Sequence, residues 1–356
     1  MLVFRLKRGK NNHMPLDPYN LTPNASINRV KLLSAPGLPA AWQGKTAFQI
    51  MGRESLVRRI VEAFPELTAQ ADPIPAFCQQ YLAQHIPTAE AIADEMGLAL
   101  GCVLLTLKRG EADSRAARPD WDESYWTHWG SIQHVILGGG LMASLLGTYM
   151  LAKASEMLNG LLSLTKADYP AALPLIGAAR MAAESTGSAW IFDFGGTNVK
   201  RALATYVDAQ LMALKQMQSI LIPASVFGEA KTVFDFMVQA VVDTISQQDH
   251  PNEMLFIYIS IANYARQCQL ASDNPYGQLN VLGMNPCHLL SDAISQQIGC
   301  PITLEFVHDG TAAAKTYAGA SNTAVITVGT SLGMGFPPPP QSLIPLSSDF
   351  RLNQSR

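Results

Sequence analysis

The residues best suited to phosphate chemistry lie in the segment 190–201, which reads Trp-Ile-Phe-Asp-Phe-Gly-Gly-Thr-Asn-Val-Lys-Arg. An apolar run followed by two glycines predicts a buried strand, a tight turn and a second strand that pairs back on the first. Glycines in the turn let backbone N–H groups approach an anion. A carboxylate at its mouth suits Mg²⁺, which takes one or two carboxylates together with phosphates. The predicted metal ligand is Asp193, and the predicted phosphate contacts are Asp193, Gly195, Gly196, Thr197 and Asn198, with an ordinary Gly-Gly hairpin as the alternative.

A second carboxylate, Asp309, follows the apolar segment 302–307, which we predict to be a strand. Ligands bind at the carboxyl ends of strands in open α/β sheets, so Asp309 and its neighbour His308 are expected at a binding site. The small residues that come next predict a helix whose first turn is capped by Asp309 or Thr311. A role for Asp309 as a helix cap alone is the alternative.

Two further glycine turns follow predicted strands. The segment 324–328 is rich in β-branched residues and runs into Gly-Thr-Ser-Leu-Gly at 329–333. The segment 134–137 runs into three glycines, after which a helix is predicted to about Leu162. The sequence therefore contains three strand-and-glycine-turn units in which backbone groups are open to a ligand.

These segments resemble the motifs of the actin-like sugar kinases, namely the hexokinases, the glucokinases and the ROK (repressor, open reading frame, kinase) family. Segment 190–201 is similar to their first phosphate motif. Segment 329–333 is similar to their second phosphate motif, with a serine in place of a glycine, and 134–142 to their adenosine motif. Segment 308–314 is similar to their Asn-Asp-x-x-Ala-Ala-Ala sequence, with a histidine in place of the asparagine.

The resemblance implies ATP and Mg²⁺ as cofactors and a small hydroxylated, sugar-like molecule as the phosphate acceptor. Asp309 would be the general base that takes the proton of the attacking hydroxyl. Polar residues after a predicted strand at 254–259 would contact the acceptor, unless they make Asx turns instead. The remaining candidate nucleotide contacts are Gly138, Gly139, Gly140, Gly329, Thr330, Ser331 and Gly333. The candidate acceptor contacts are Asn263, Asp273, Asn280, Asn285, His308 and Asp309.

The order of the motifs differs from that of the resembling family, in which both phosphate motifs precede the adenosine motif. Here a helix predicted at 88–107 and the adenosine-like turn come first. The chain therefore resembles a circular permutant of the α/β, two-domain actin-like (ribonuclease H-like) kinase fold. We predict a larger nucleotide-binding domain, 1–162 plus 311–356, and a smaller domain, 163–310. The competing hypothesis is an unrelated N-terminal helical domain followed by a truncated kinase.

Composition narrows the class of protein. Hydrophobic residues make up 48% and charged residues 15%, with a formal net charge of -3, which is typical of a globular protein without a nucleic-acid partner. The uncharged run 135–152 contains three glycines, which disfavours a membrane span. Five cysteines without a C-x-x-C pair argue against a disulfide framework or a zinc site. We expect a cytoplasmic protein without a signal peptide, and we leave a homodimer open.

The sequence thus predicts an ATP-dependent, sugar kinase-like phosphotransferase with Asp309 as its base. A pantothenate-kinase-like enzyme is one alternative, because it would share the Asp-x-Gly-Gly-Thr turn but place a glutamate base elsewhere. A non-catalytic regulator that binds a sugar or a nucleotide is another. A scaffold that has lost ATP is a third, which the intact Asp193, Thr197 and Asp309 disfavour. Lys200 or Arg201, on the strand that leaves the first turn, is a candidate for added positive charge, but such residues usually point to solvent, which is the expectation here.

Overall fold

Two large β-sheets, the helices that cover them and a small two-stranded sheet make up the part of the chain described by a computed structural model. The described residues are 15–182, 186–247, 254–272, 274–283 and 285–354. The strands are β1 (His134–Gly138), β2 (Ser163–Lys166), β3 (Gly187–Phe194), β4 (Asn198–Val207), β5 (Gln210–Leu221), β6 (Leu255–Ile261), β7 (Ala265–Arg266), β8 (Gln269–Leu270), β9 (Ile302–His308), β10 (Thr323–Val328), β11 (Leu332–Gly335) and β12 (Leu346–Gln354). The helices are α1 (Ala47–Met51), α2 (Arg53–Ala63), α3 (Pro73–Gln80), α4 (Pro87–Arg109), α5 (Ala112–Ala116), α6 (Glu123–Ser131), α7 (Leu145–Leu158), α8 (Leu173–Ala179), α9 (Ala230–Ile245), α10 (Pro286–Ile298) and α11 (Asp309–Lys315).

The larger sheet has six strands in the order β12-β5-β4-β3-β6-β9. β3, β4 and β5 form an antiparallel meander, and β6 and β9 extend it in parallel with β3. Successive side chains of a strand face opposite sides, so Phe192 and Phe194 pack with α9 and α10 while Ile191 packs with α8. Because both faces are covered, β3 is a continuous apolar run, and the predicted strand and hairpin at 190–201 are confirmed.

The smaller sheet joins strands from both halves of the chain. Its order is β11-β10-β1-β2, in which β1 lies between β10 and β2 and runs parallel to both. β11 pairs back on β10 in antiparallel fashion across the turn at 329–331. Residues 134–166 therefore share one sheet with residues 323–335, and the N-terminal half is not a separate helical domain.

The two sheets repeat the same arrangement. The sets β4-β3-β6-β9 and β11-β10-β1-β2 each consist of an antiparallel hairpin followed by two strands parallel to its first strand. A helix comes after the last strand of each set, namely α11 after β9 and α8 after β2. These two helices cross so closely that a Cβ on Gly177 would lie 1.6 Å from the carbonyl oxygen of Ala312, so only glycine fits at that crossing.

The N-terminal helices build a large core against the smaller sheet. The helix predicted at 88–107 is confirmed as α4, and Trp121, Trp126 and Trp129 are buried in the same core. The uncharged run 135–152 divides into β1, a glycine turn and part of α7. Among the helices of the described ranges, none combines the length and the apolar character that crossing a membrane requires.

Sheet membership differs from the predicted domain division at two places. β2 opens the predicted smaller domain, 163–310, yet it lies in the four-stranded sheet because it pairs with β1. β12 belongs to the predicted larger domain, 311–356, yet it forms an edge of the six-stranded sheet because it pairs with β5. β12 pairs with a strand about 135 positions earlier in the chain, which no local pattern marks, whereas β2 pairs with the preceding strand, β1, to which α7 joins it.

One disulfide corrects the expectation drawn from the cysteine pattern. Cys268, in the turn between β7 and β8, is bonded to Cys287 in the first turn of α10. The chain between them folds back on itself, which brings together two cysteines that are separated by 19 residues and belong to no short motif. Cys78, Cys102 and Cys300 are free and buried.

Candidate functional site

Asp193 lies at the end of β3 in a buried polar cluster. Its Oδ2 is 2.9 Å from the Lys200 Nζ, and its Oδ1 accepts a 2.9 Å hydrogen bond from the Ser260 hydroxyl. Asp193 and Lys200 are directly opposite each other on antiparallel strands, so their side chains share a face. The expectation that Lys200 points to solvent was therefore wrong. Arg201, on the other face of β4, donates to the carbonyl of Gln218 at 2.8 Å.

The first two glycine turns face each other. A Cβ on Gly196 would lie 3.3 Å from the Thr330 hydroxyl oxygen, so the predicted first and second phosphate motifs meet at this point. Within the described part of the chain, no acceptor is paired with the backbone N–H groups of Gly196, Thr197, Thr330 or Ser331. These four N–H groups are therefore available to an anion between the two turns.

The third glycine turn packs against the strand that leads into the second. Gly139 has a φ of +93°, and a Cβ there would lie 2.4 Å from the carbonyl oxygen of Val328. The Leu141 N–H donates to the same carbonyl at 3.2 Å. The segment 138–140 is thus held beside Gly329, and the structure brings all three predicted turns to one region.

Asp309 is the first residue of α11 and lies against the second glycine turn. A Cβ on Gly333 would lie 3.6 Å from its Oδ1 and 3.7 Å from its Oδ2. The Gly310 N–H donates to Oδ1 at 2.6 Å, whereas Oδ2 accepts no hydrogen bond from any described residue. Desolvation, and after it the negative charge of Asp193, raises the pKa of Asp309 from 3.8 to about 7.

His308, and not Asp309 or Thr311, is the N-cap of α11. Its Nδ1 accepts from the Thr311 backbone N–H at 3.2 Å, and its ring stacks on Tyr264 with 4.1 Å between centroids. Burial lowers the pKa of His308 to about 3, so the ring is neutral. Since Nδ1 is an acceptor, the proton lies on Nε2, which is 3.2 Å from Oδ1 of Asp309.

A cavity of about 240 Å³ opens beside Asp309. Three parts of the chain line it, namely an N-terminal segment, the loop after β6, and the joint between β9, α11 and the second glycine turn. The lining residues are Pro23, Ser26, Asn28, Arg29, Ala262, Asn263, Tyr264, Asn274, His308, Asp309, Ser331, Leu332 and Gly333.

The N-terminal wall of this cavity is the part that sequence reasoning missed. The Asn28 side chain donates to the Leu332 carbonyl at 2.7 Å and accepts from the Leu332 N–H at 3.0 Å, as a neighbouring strand would. The two residues are 304 positions apart, and the segment around Asn28 consists of short 3₁₀ turns without periodicity. No local signal could have indicated this contact.

The predicted acceptor contacts separate into those at the cavity and those outside it. Asn263 is 3% exposed and lines the cavity, where its Nδ2 donates to the Ala271 carbonyl at 3.0 Å. Its Oδ1 is buried and has no hydrogen-bond partner among the described residues. Asn285 instead caps α10, and Asn280 bonds both backbone groups of Leu270. Asp273 lies outside the described residues.

The chemistry around Asp193 fits a magnesium ion that is held partly by a nucleotide. Among the residues with described positions, no three His, Cys, Asp or Glu side chains are grouped closely enough to hold a metal ion by themselves. Mg²⁺, however, is commonly bound through one or two carboxylates together with phosphate oxygens. Asp193 is a single carboxylate at the mouth of a turn with free N–H groups, and a metal ion there would share its two oxygens with Lys200 and Ser260, which already contact them.

Comparison with known proteins adds little to this geometry. No protein-family model matches the chain, and no curated protein matches it. Among solved structures the chain is similar to the ethanolamine utilization protein EutJ from Carboxydothermus hydrogenoformans, with 12% identity and a TM-score of 0.29, over 60% of this chain and 73% of that chain. A similarity at this level carries no argument about fold or function.

Proposed function

We propose that this protein is an ATP-dependent phosphotransferase that moves a phosphoryl group to a hydroxyl of a small, sugar-like acceptor. The observation that carries the proposal is the position of the Asp309 carboxylate. It lies against the second glycine turn on one side and lines a small cavity on the other. A base between a phosphate site and an acceptor site is the arrangement that such a transfer requires.

The strand order supports an actin-like fold that is circularly permuted. The two sheets repeat one arrangement of a hairpin followed by two parallel strands. In the six-stranded sheet these strands follow chain order, whereas in the other sheet the hairpin β10-β11 comes from the end of the chain and its partners β1 and β2 from the first half. Joining the chain ends would give both sheets the same order of strands.

The nucleotide site would be built by the three glycine turns. The free N–H groups of the first two turns would bind phosphates, and 138–140 would line the adenosine. Lys200 would supply a cation beside Asp193, which would hold the magnesium ion. Bound MgATP would supply the transferable phosphoryl group and the charge that neutralises it during transfer.

Asp309 would act as the general base. Its Oδ1 already accepts from the Gly310 N–H, which leaves Oδ2 to take the proton of the acceptor hydroxyl as that oxygen attacks phosphorus. A general base is most effective when its pKa is close to the working pH. The raised pKa of Asp309, about 7, meets this condition.

The size and polarity of the cavity favour a small acceptor with several hydroxyl groups. Its volume of about 240 Å³ is below the range of roughly 300–1,000 Å³ that is usual for drug-sized ligands. The buried Oδ1 of Asn263 needs a donor, since an unpaired buried acceptor costs about 1–3 kcal/mol. A second hydroxyl of the acceptor would satisfy it.

A screen for ADP formation tests the proposal. Neutral sugars, sugar acids, sugar phosphates and hydroxylated vitamins would be incubated with the full chain, ATP and Mg²⁺, and the products would be identified by ³¹P NMR. We expect at least one acceptor to give ADP and a phosphate ester, and chelation of Mg²⁺ to abolish both. ATP binding without any acceptor-dependent turnover would instead favour a non-catalytic nucleotide-binding regulator.

A further inference from the structure

Arg29 brings a positive charge to the wall of the acceptor cavity. Its Nη2 donates to the Pro23 carbonyl at 2.8 Å and lies 3.2 Å from Oδ2 of Asp120. These contacts fix the guanidinium in place, while its side chain stays 50% exposed. The Nε and Nη1 of Arg29 have no acceptor among the described residues, so both can donate to a ligand.

The charge of Arg29 is only partly balanced, because Asp120 is shared with a second arginine. Arg118 contacts both oxygens of Asp120, through Nε at 3.0 Å and Nη2 at 3.2 Å. The Arg118 side chain is 4% exposed and also donates to the carbonyls of Asn24 and Ser26. Burial makes Arg118 depend on Asp120 for its counter-charge. Arg29, Arg118 and Asp120 together carry one net positive charge, and Arg29 is the member of this group that lines the cavity.

The other walls of the cavity carry different chemistry. Asp309 and Asn263 both line the cavity, and the buried Oδ1 of Asn263 lacks a hydrogen-bond donor among the described residues. A neutral polyol could form hydrogen bonds with Asp309 and Asn263, but it has no negative charge to pair with Arg29. A hydroxylated molecule with an anionic group would engage all three.

We propose that the acceptor is a small hydroxylated anion whose carboxylate or phosphate group binds Arg29 while a hydroxyl lies at Asp309. This inference rests on the proposed function, because it takes Asp309 as the base of phosphoryl transfer. Hydrogen bonds between two charged groups are stronger than neutral ones. Since Arg29 is half exposed, we expect its contribution to affinity to be about 10-fold, at the lower end of what such bonds provide.

Binding measurements test the inference without turnover. Gluconate, glucose 6-phosphate and glucose would each be titrated into the full chain by calorimetry, so that a carboxylate, a phosphate ester and a neutral sugar are compared. We expect at least one of the two anions to bind about 10-fold more tightly than glucose, and the better anion identifies the anionic group. Glucose binding as tightly as both anions, or no binding by any of the three, would overturn the inference.

The variant Arg29→Gln separates recognition of the anion from a structural role. It should weaken the anion about 10-fold and change glucose binding little, whereas a merely structural role would weaken both ligands alike. Arg58→Gln is the matched control, because Arg58 is exposed and, among the described residues, forms an ion pair only with Glu62, at 4.0 Å. An unchanged preference for the anion in Arg29→Gln refutes the assignment.

Kinetics distinguish failure of this inference from failure of the proposed function. If a neutral sugar is phosphorylated and the Asp309→Asn variant loses that activity, the phosphotransferase proposal stands and only the anionic acceptor is wrong. If an anion binds through Arg29 but no acceptor yields ADP, the binding site stands and the proposed reaction is wrong.

Discussion

The raised pKa of Asp309 predicts that this residue destabilises the folded protein at neutral pH. The native pKa of about 7 lies about three pH units above the ordinary value of 3.8, and each unit corresponds to about 1.36 kcal/mol. Between pH 4 and 7 the folded state keeps a proton that the unfolded state has lost, so the free energy of unfolding falls as pH rises. The Asp309→Asn variant cannot titrate at this position. The free energy of unfolding of Asp309→Asn minus that of the parent should therefore increase by about 4 kcal/mol from pH 4 to pH 8.

Urea unfolding of the parent and of Asp309→Asn, at steps from pH 4 to pH 9, measures this difference. His308 has a lowered pKa and favours the folded state as pH rises, but it is present in both proteins, so its direct contribution is common to both. Asp235→Asn is the control for loss of a carboxylate, because its ion pair with Lys231 is exposed and such pairs contribute about 0–1 kcal/mol. Parallel curves for the parent and Asp309→Asn across this range would refute the reasoning.

Two further predictions concern the walls of the phosphate site. Gly139→Ala should lower the free energy of unfolding by at least about 2 kcal/mol, because it combines a φ of +93° with a Cβ 2.4 Å from the Val328 carbonyl oxygen. Gly140→Ala is the control, because a Cβ there meets open space, and it should change the free energy of unfolding by less than about 0.5 kcal/mol. If urea unfolding shows the same loss of stability for both variants, this account is contradicted. Lys200→Met should cost about 1–3 kcal/mol because it leaves the Asp193 carboxylate, only 5% exposed, without its cation. Adding Asp193→Asn to Lys200→Met should recover part of that loss. If the stability changes of the two single variants simply add up in the double variant, Lys200 and Asp193 are not coupled.

The parts of the fold that the sequence predicted correctly are those with strong local patterns. An apolar run that ends in two glycines predicts a buried strand followed by a turn, and the antiparallel pair of β3 and β4 confirms this prediction. The same holds for β9 before Asp309 and for the long helix α4. The resemblance assigned the segments of β1 and β10 to one domain, but their pairing was not predicted, because parallel partners this far apart share no local signal.

The errors at the candidate site have separate physical causes. Lys200 was expected in solvent, although the hairpin register that the glycine turn defines already placed it opposite Asp193. The N-cap of α11 was expected at Asp309 or Thr311, because histidine is an uncommon N-cap, whereas the Nδ1 of His308 takes this role. His308 also lines the cavity, and its contact with the acceptor stays a prediction. Arg29 could not be found at all, since only the tertiary packing of the N-terminal segment brings it to the cavity.

The rate of phosphoryl transfer by Asp309→Asn tests the central claim most directly. Once an acceptor is known, kcat of the parent, of Asp309→Asn and of the control Asp235→Asn would be measured at pH 8, together with their affinities for MgATP. The account predicts that Asp309→Asn loses at least about 10²-fold in kcat while its affinity for MgATP stays near that of the parent. A variant that retains most of the parental kcat would contradict the account, because the proton would then be taken by another group.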